Sequence, residues 1–300
     1  MTKSAANMST GIRADPITVI PSGAAVGAEI RGVDLSRPVG PDTFAQIEAA
    51  LHEHGAVWFR DQKIDDSQQK AFSLLWGDEL DIHPLRKFAK PGHPEVFVLS
   101  NILDASGNPV GAVDAAQYWH SDLSYSTHPS RVSILQSIEI PMQDGQPLGE
   151  TEFASTAAAW DALPADMQHR LVGLKAAHLA QKPKSGGHFV KPLDSDTQSR
   201  LQEVVHPLVR THPFTGRKCL YVNHGFTTHI VGLPPAESDR LLQELFDFIV
   251  RPRFMFVHRW AVGDVLVWDN CSTIHQGVGN YKLPQRRLMV RTIVKGSVPF

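Results

Sequence analysis

Cysteine is almost absent from this chain: two in 300 residues, Cys219 and Cys271. Far apart in sequence, they cannot supply a zinc-finger framework. At most they close one disulfide, and two reduced thiols in an intracellular protein are the simpler reading. Long apolar runs are missing as well. Nothing approaches the ~18 residues of a membrane span, and the opening MTKSAANMSTGIRADP lacks the apolar centre of a signal peptide. An excess of one charge is lacking too. A formal net charge of -2 carries neither the basic footprint of a nucleic-acid binder nor the attraction of a polybasic segment for acidic membranes. No internal repeat or low-complexity linker divides the sequence. These absences give an expectation of a cytoplasmic protein with a mobile tail over residues 1–15 and one domain over 16–300, a length that barrels and sandwiches reach as single units.

Helical patterns come early. Residues 42–54, opening at Asp42 as N-cap, place Phe44, Ile47, Ala50 and Leu51 on one face, and residues 66–76, opening at Asp66, do so with Ala71, Leu74 and Leu75. Ala56–Phe59 and Val96–Leu99 are short buried strands. The second half is richer in strands: Arg131 to Ile140, a hairpin of His206–Thr211 with Lys218–Val222 turning near Gly216, then Phe254–Trp260, Asp264–Trp268 and Arg287–Val294. One amphipathic helix, 235–250, interrupts them, with Leu241, Leu245 and Ile249 on a stripe. A mainly β domain with flanking α-helices, a sandwich or jelly roll, is the expected fold class.

Histidine is abundant, fifteen in all. On a strand, His120 and Asp122 of Trp119-His120-Ser121-Asp122 point to one side and can share an ion. A distant histidine, His275 after Trp268-Asp269-Asn270, completes a two-histidine, one-carboxylate set that covers one face of an octahedral ion and leaves three positions open. The short pattern alone is weak: chance gives roughly one or two such matches in a chain like this. His93-Pro94-Glu95 is a second match, but its prolines and Gly92 favour a loop. Downstream, Arg287 and Arg291 share a strand face about 13 Å apart at the usual rise, with Arg286 facing the other way. Two inward guanidiniums call for anions, and the planar fork suits carboxylate, sulfonate or phosphate. His206, His212, His224, His229 and His258 have no partner at ligand spacing and read as structural. Arg86, beside Lys87 and Lys90, reads as part of a solvated basic face.

Over nearly its whole length the chain resembles the taurine dioxygenase and 2,4-dichlorophenoxyacetate dioxygenase family. The likeness starts at Gly27-Ala28-Glu29-Ile30-Arg31-Gly32-Val33-Asp34-Leu35, passes through Phe59-Arg60-Asp61-Gln62 and both ligand-bearing segments, and ends in Pro284-Gln285-Arg286-Arg287-Leu288-Met289-Val290-Arg291. It implies a double-stranded β-helix (a jelly roll) and an Fe(II)- and 2-oxoglutarate-dependent dioxygenase. Such an enzyme hydroxylates a small anionic substrate with dioxygen and releases succinate and CO2. It implies iron on His120, Asp122 and His275, the distal carboxylate of 2-oxoglutarate on Arg287 and Thr151, and the substrate acid on Arg291. His83, in Asp81-Ile82-His83-Pro84, resembles the histidine that meets a sulfonate. Phe226, in Asn223-His224-Gly225-Phe226, resembles an aromatic wall of the substrate pocket. Ala116 stands where taurine dioxygenase has an asparagine near the substrate amine, which argues against taurine itself. Organosulfonates or alkyl sulfates are the first expectation, and aryloxyalkanoates the second. A protein that only binds metal and 2-oxoglutarate is the reading from another class. The resemblance also implies a dimer or tetramer, and Lys182–Gly187 is a candidate lid.

Overall fold

The computed structural model describes residues 17–83, 85–113, 116–180 and 202–300. The expected tail and the candidate lid fall outside these residues. Strands outnumber helices, in several sheets. The largest has eight strands in the order Thr18–Pro21, Ala28–Arg31, Ala56–Phe59, Val265–Asp269, Ser130–Glu139, Leu288–Lys295, His93–Ser100 and Ala89–Lys90. All its pairings are antiparallel except Ala28–Arg31 with Ala56–Phe59. A three-stranded sheet has Thr151–Ser155 at its centre, between Met255–His258 and Thr273–Gly277. Smaller sheets join Lys175–His178 to Val204–Pro207 and Thr227–Ile230, and Val209–Thr211 to Lys218–Leu220.

Side-chain alternation along the central strands decides how these layers stack. Val57, Phe59, Val265 and Val267 leave one face of the large sheet and pack with Ile47 and Leu51 of the helix Pro41–His54, Phe72 of the helix Asp66–Ser73, and Trp76 just beyond it. Ala56, Trp58, Leu266 and Trp268 leave the other face and meet Phe153 of the three-stranded sheet. Next along that strand, Ala154 points away, with Ile274, into a third cluster built on the helix Pro235–Ile249. The core strands are buried on both faces, so they read as continuous apolar runs and not as alternating ones.

Several local expectations need correction. The first helix begins one residue earlier, at Pro41, with Gly40 as its cap; the second begins at Asp66 as expected, but its cap is Asp65, whose carboxylate and Gln68 form a capping box. The second helix stops at Ser73 and turns a different face inward: Gln69, Phe72 and Ser73 are buried, whereas Ala71, Leu74 and Leu75 are exposed. Hydrogen bonding explains the inward glutamine. Its amide donates to the carbonyls of Ile134 and Val290, so a polar group ties helix to sheet where apolar periodicity gives no hint. His93-Pro94-Glu95 lies on a strand, not in a loop. Pro94 is tolerated because pairing with the 288–295 strand covers only Phe97 to Ser100. It is still no metal site, since Glu95 is held by Lys70 at 2.9 Å.

The inward face of the second helix is directly testable. Phe72→Ala should lower unfolding free energy by about 3–5 kcal/mol, as for other buried phenylalanines, and Leu74→Ala by less than about 1 kcal/mol. Urea denaturation checks both, and equal losses would contradict this packing.

Candidate active site

His120 and His275 are joined by an isolated antiparallel bridge. Each backbone N–H donates to the other's carbonyl, at 2.9 and 2.8 Å, and the imidazole centroids lie 4.1 Å apart. His120-Ser121-Asp122 is therefore not a strand, as expected, but a single bridge residue followed by a turn in which Leu123 takes a φ of +56°. The turn still brings the carboxylate to the rings: His120 Nε2 is 3.6 Å from Asp122 Oδ1, and His275 Nε2 is 3.8 Å from Oδ2. All three residues are buried, with one ligand atom from each within 4.8 Å of the others.

The proton positions suit a cation. His120 Nδ1 lies 2.9 Å from the Tyr118 carbonyl and donates to it, which leaves the Nε2 lone pair bare and facing Asp122. Burial alone would raise the Asp122 carboxyl, but the Arg291 guanidinium beside it leads the opposing influences, and the group is held well below the usual carboxylate range. Burial, with the nearby Arg291 charge adding to it, holds His275 neutral well below the usual imidazole range. A carboxylate, the neutral His275 and a His120 whose Nδ1–H is spent on the Tyr118 carbonyl make a donor set of the kind a divalent metal requires. The ring of His275 is seated by Trp268 at 4.7 Å and by Phe153 at 5.8 Å.

A polar cradle that sequence reading missed supports the carboxylate. Ser133 Oγ donates to Asp122 Oδ2 at 2.6 Å, and Asn270 accepts from the Asp122 backbone N–H at 3.0 Å. The Asn270 amide also donates to Ser133 and Ser130. The available signals were a serine inside the apolar Arg131–Ile140 run and an asparagine directly after Trp268-Asp269.

The two inward arginines are arranged unequally. Arg291 reaches Asp122 Oδ1 at 3.1 Å, while its Nε is buried without a partner among the described residues. Arg287 precedes the strand, its backbone clamped by Ser100 and Asn101. Its side chain lies against Gly149 and the Tyr281 ring, with a buried, unpartnered Nε, and burial lowers its pKa. Arg286 points outward to Glu139 at 3.0 Å. Thr151 opens the central strand of the small sheet and is buried, its Oγ accepting from Trp260 at 3.0 Å.

On the other side of the triad, His83 is 4.0 Å from the Phe97 ring, and Arg291 lies over that same ring. Burial, then Arg291, pushes His83 down to about 3. Its Nδ1 accepts from Leu85 N–H at 3.1 Å, so a neutral Nε2–H remains to donate. Phe226 is buried 5.8 Å from His120, ringed by Tyr118 and Tyr125, two wall residues not anticipated from sequence. Gly225 permits this approach, since a Cβ there would sit 2.6 Å from the Tyr118 ring. Ala116 is half-buried with a φ of +63°, and its carbonyl accepts from Gly277 N–H two residues past His275. Arg86 is exposed on a short 3-10 helix.

A second buried group, His212 with Asp269 and Cys271, also has ligand-type atoms close together. Its valences are spent. Asp269 accepts from His212 Nε2, Ser272 Oγ and Cys271 N–H, each at 2.7 Å, and His212 Nδ1 accepts from Phe214 and Thr215 N–H. This cluster is a structural knot, and both cysteines are free and buried.

Two predictions follow from this geometry. Ser133→Ala should weaken Mn(II) binding by about 10- to 100-fold, the usual cost of losing a support of a ligating carboxylate. Calorimetry at fixed pH measures it, and unchanged affinity would contradict the cradle. For Asp269, burial raises the carboxyl but His212, Ser272 and Cys271 outweigh it and lower it to about 2. The folded value lies below the unfolded one of roughly 3.9, so its contribution is full above that pH and fades as pH falls toward 2. It amounts to roughly 2 kcal/mol. Asp269→Asn should lose it, and should show a flatter fall in stability between about pH 4 and 2 in urea titrations.

Comparison with known proteins gives the family. Residues 18–293 match the family model described as taurine catabolism dioxygenase TauD, TfdA family. The chain is 33% identical over 274 residues, 88% of its length and 92% of the relative's, to an alpha-ketoglutarate-dependent 2,4-dichlorophenoxyacetate dioxygenase of Cupriavidus pinatubonensis. It is 32% identical over 301 residues, 98% of its length and 94% of the relative's, to an alpha-ketoglutarate-dependent sulfate ester dioxygenase of Pseudomonas putida. Among solved structures, AAD-2 in complex with Mn(II) and N-oxalylglycine superposes with a TM-score of 0.77 at 28% identity, covering 95% of this chain and 99% of that one. With the match spanning most of the chain and the buried His120, Asp122 and His275 in place, the protein belongs to the TauD/TfdA family of alpha-ketoglutarate-dependent dioxygenases.

Proposed function

We propose that this enzyme uses iron(II) and 2-oxoglutarate to hydroxylate a small organic acid held by Arg291, and that the acid is an organosulfonate or alkyl sulfate. The observation that carries the reading is the buried triad, with Nε2 of His120 and of His275 facing the Asp122 carboxylate at 3.6 and 3.8 Å and with Arg291 against that carboxylate. His120, Asp122 and His275 are the residues that would hold the metal, which supplies dioxygen activation when bound. Arg287 and Thr151 would hold the distal carboxylate of 2-oxoglutarate: Arg287 Nε, buried against Gly149 and beside Tyr281, has no partner among the described residues. A double-stranded β-helix, with the metal between the large sheet and the small one, is the topology this reading expects.

Arg291 has two tasks. Its Nη1 holds Asp122 at 3.1 Å, and its free Nε would meet the substrate anion. An acid placed there is close to the metal ligands, which puts the carbon beside it within reach of the chemistry. His83 would add one neutral N–H donor. Phe226, Tyr118 and Tyr125 exclude water and pack the substrate body. Burial raises both tyrosine hydroxyls, Tyr118 to about 12, so each remains protonated. Overall, the substrate C–H and 2-oxoglutarate consume one dioxygen and yield an alcohol, succinate and CO2. Where the hydroxylated carbon bears a sulfonate or sulfate oxygen, the product separates into a carbonyl compound and the released anion.

Aryloxyalkanoates are the second reading. Ala116 opens space where a polar side chain would bind an amine, and the Tyr118, Tyr125 and Phe226 wall fits an aryl group. The sulfate ester and phenoxyacetate relatives support one class each. Membership of a dioxygenase family speaks against a chain that only binds metal and 2-oxoglutarate.

Succinate release from iron-loaded protein, across sulfonates, alkyl sulfates and aryloxyalkanoates, tests the proposal. Stimulation by the sulfur acids is the expected result. His120→Ala or Asp122→Ala should abolish it, and Arg291→Met should raise KM by at least about tenfold, as for a lost charge-assisted contact. Full activity in either ligand variant would overturn the assignment. Stimulation by aryloxyalkanoates alone would replace the substrate class and keep the rest.

A further inference from the structure

Thr151 and Trp260 form a pair whose chemistry has a direction. An indole N–H can donate but never accept, so in the 3.0 Å contact between Trp260 Nε1 and Thr151 Oγ the hydroxyl must be the acceptor. Both residues are buried, at 2% and 4% exposure. One Thr151 lone pair is thus occupied, and its own O–H has no acceptor among the described residues. Buried hydroxyl donors seldom stay unpaired. Two residues earlier, Gly149 brings the chain against Arg287, because a Cβ there would stand 3.2 Å from Arg287 Nε and 2.9 Å from the Tyr281 ring. Two buried donors therefore lack acceptors among the described residues: Arg287 Nε, against Gly149, and the hydroxyl of Thr151, two residues further along the same strand entry. A carboxylate supplies what both lack.

Trp260 is itself held in place. The His258 ring packs edge-on against it at 4.6 Å, and His258 faces Thr151 across the strand pair. Asp264, wholly buried, accepts from His258 Nε2 at 3.1 Å, from Ala261 N–H at 2.9 Å and from Arg60. One carboxylate therefore closes the 258–264 segment and fixes the indole that it carries.

We propose that Trp260 is a positioning residue for co-substrate binding: its N–H occupies Thr151 Oγ and commits the Thr151 proton to the distal carboxylate of 2-oxoglutarate. This rests on the reading that Thr151 and Arg287 hold that carboxylate. Without the indole N–H, the hydroxyl is free to turn its proton elsewhere, and co-substrate affinity falls while the metal triad is untouched.

The test is calorimetric binding of 2-oxoglutarate to Mn(II)-loaded protein, with steady-state kinetics on the iron form. Trp260→Phe keeps a ring and removes the donor. It should raise the 2-oxoglutarate Kd and KM by about 5- to 20-fold, with Mn(II) affinity and kcat at saturation within about twofold. Thr151→Val should show a similar loss, Thr151→Ser should restore most of the affinity, and the Trp260→Phe/Thr151→Val double variant should lose little more than either single variant. An additive double variant overturns the proposal, because the tryptophan then acts through packing alone. Unchanged affinity in Trp260→Phe beside a weakened Thr151→Val also overturns it and leaves the co-substrate site standing. Unchanged affinity in Thr151→Val instead removes the underlying reading. If Trp260→Phe does not fold, the Trp260 indole N–H resonance of the intact Zn(II)-loaded protein should shift when N-oxalylglycine is added. A resonance that does not move contradicts the proposal.

Discussion

Two backbone hydrogen bonds between His120 and His275 are the constraint on which the site depends. They join residues 155 positions apart in a reciprocal pair, and a reciprocal antiparallel pair sends both side chains to one side of the ribbon. The imidazoles converge for that reason, not because histidines attract one another. Everything around the pair preserves its register. The 273–277 strand is zipped to Thr151–Ser155, and the knot around Asp269 fixes the turn from which that strand departs. Asn270, in the same turn, reaches back to the Asp122 backbone. One short stretch after Trp268 thus sets the positions of two candidate metal ligands from different parts of the chain.

Charge is balanced by the same economy. A buried carboxylate beside two imidazoles is costly unless a cation meets it. Arg291 supplies part of that compensation, and Ser133 satisfies one further lone pair. The remaining ligand atoms face one another at distances too long for hydrogen bonds, 3.6 and 3.8 Å, which is the signature of donors arranged around something else. The Asp269 cluster shows the contrast. Three bonds of 2.7 Å saturate that carboxylate, so a similar set of residue types becomes structure and not chemistry.

Much of this was legible in the sequence, for physical reasons that differ by residue. The strand at Ala56–Phe59 and the helix at Pro235–Ile249 announce themselves through burial on both faces and through a clean apolar stripe. His120, Asp122 and His275 could be singled out by residue type and spacing together with the family likeness, since the short pattern alone is weak, and the structure brings the three together. Arg287 turns toward Gly149 while Arg286 points out to Glu139, although Arg287 precedes the strand whose alternation suggested that choice. The local geometry of His120-Ser121-Asp122 was not legible, since a bridge followed by a turn presents the same pattern as a strand. The inward face of Asp66–Ser73 was hidden because a glutamine, Gln69, does the anchoring. Ser133, Asn270, Tyr118 and Tyr125 escaped notice because each acts through contacts between segments distant in sequence, which no local pattern encodes. The family likeness at Gly27–Leu35 and at Gln62 also gains a physical reason: the Gln62 side chain accepts from Leu35 N–H and donates to the Val33 carbonyl, binding the two segments together.

The most direct test of the account is a crystal structure of the protein grown with Mn(II) and N-oxalylglycine, with anomalous scattering used to place the metal. The account predicts one strong peak bounded by His120 Nε2, a carboxylate oxygen of Asp122 and His275 Nε2. It also predicts the distal carboxylate of N-oxalylglycine on Arg287 and Thr151, with Arg291 left open to the substrate side. A peak at His212, Asp269 and Cys271, or N-oxalylglycine anchored on Arg291, would contradict it.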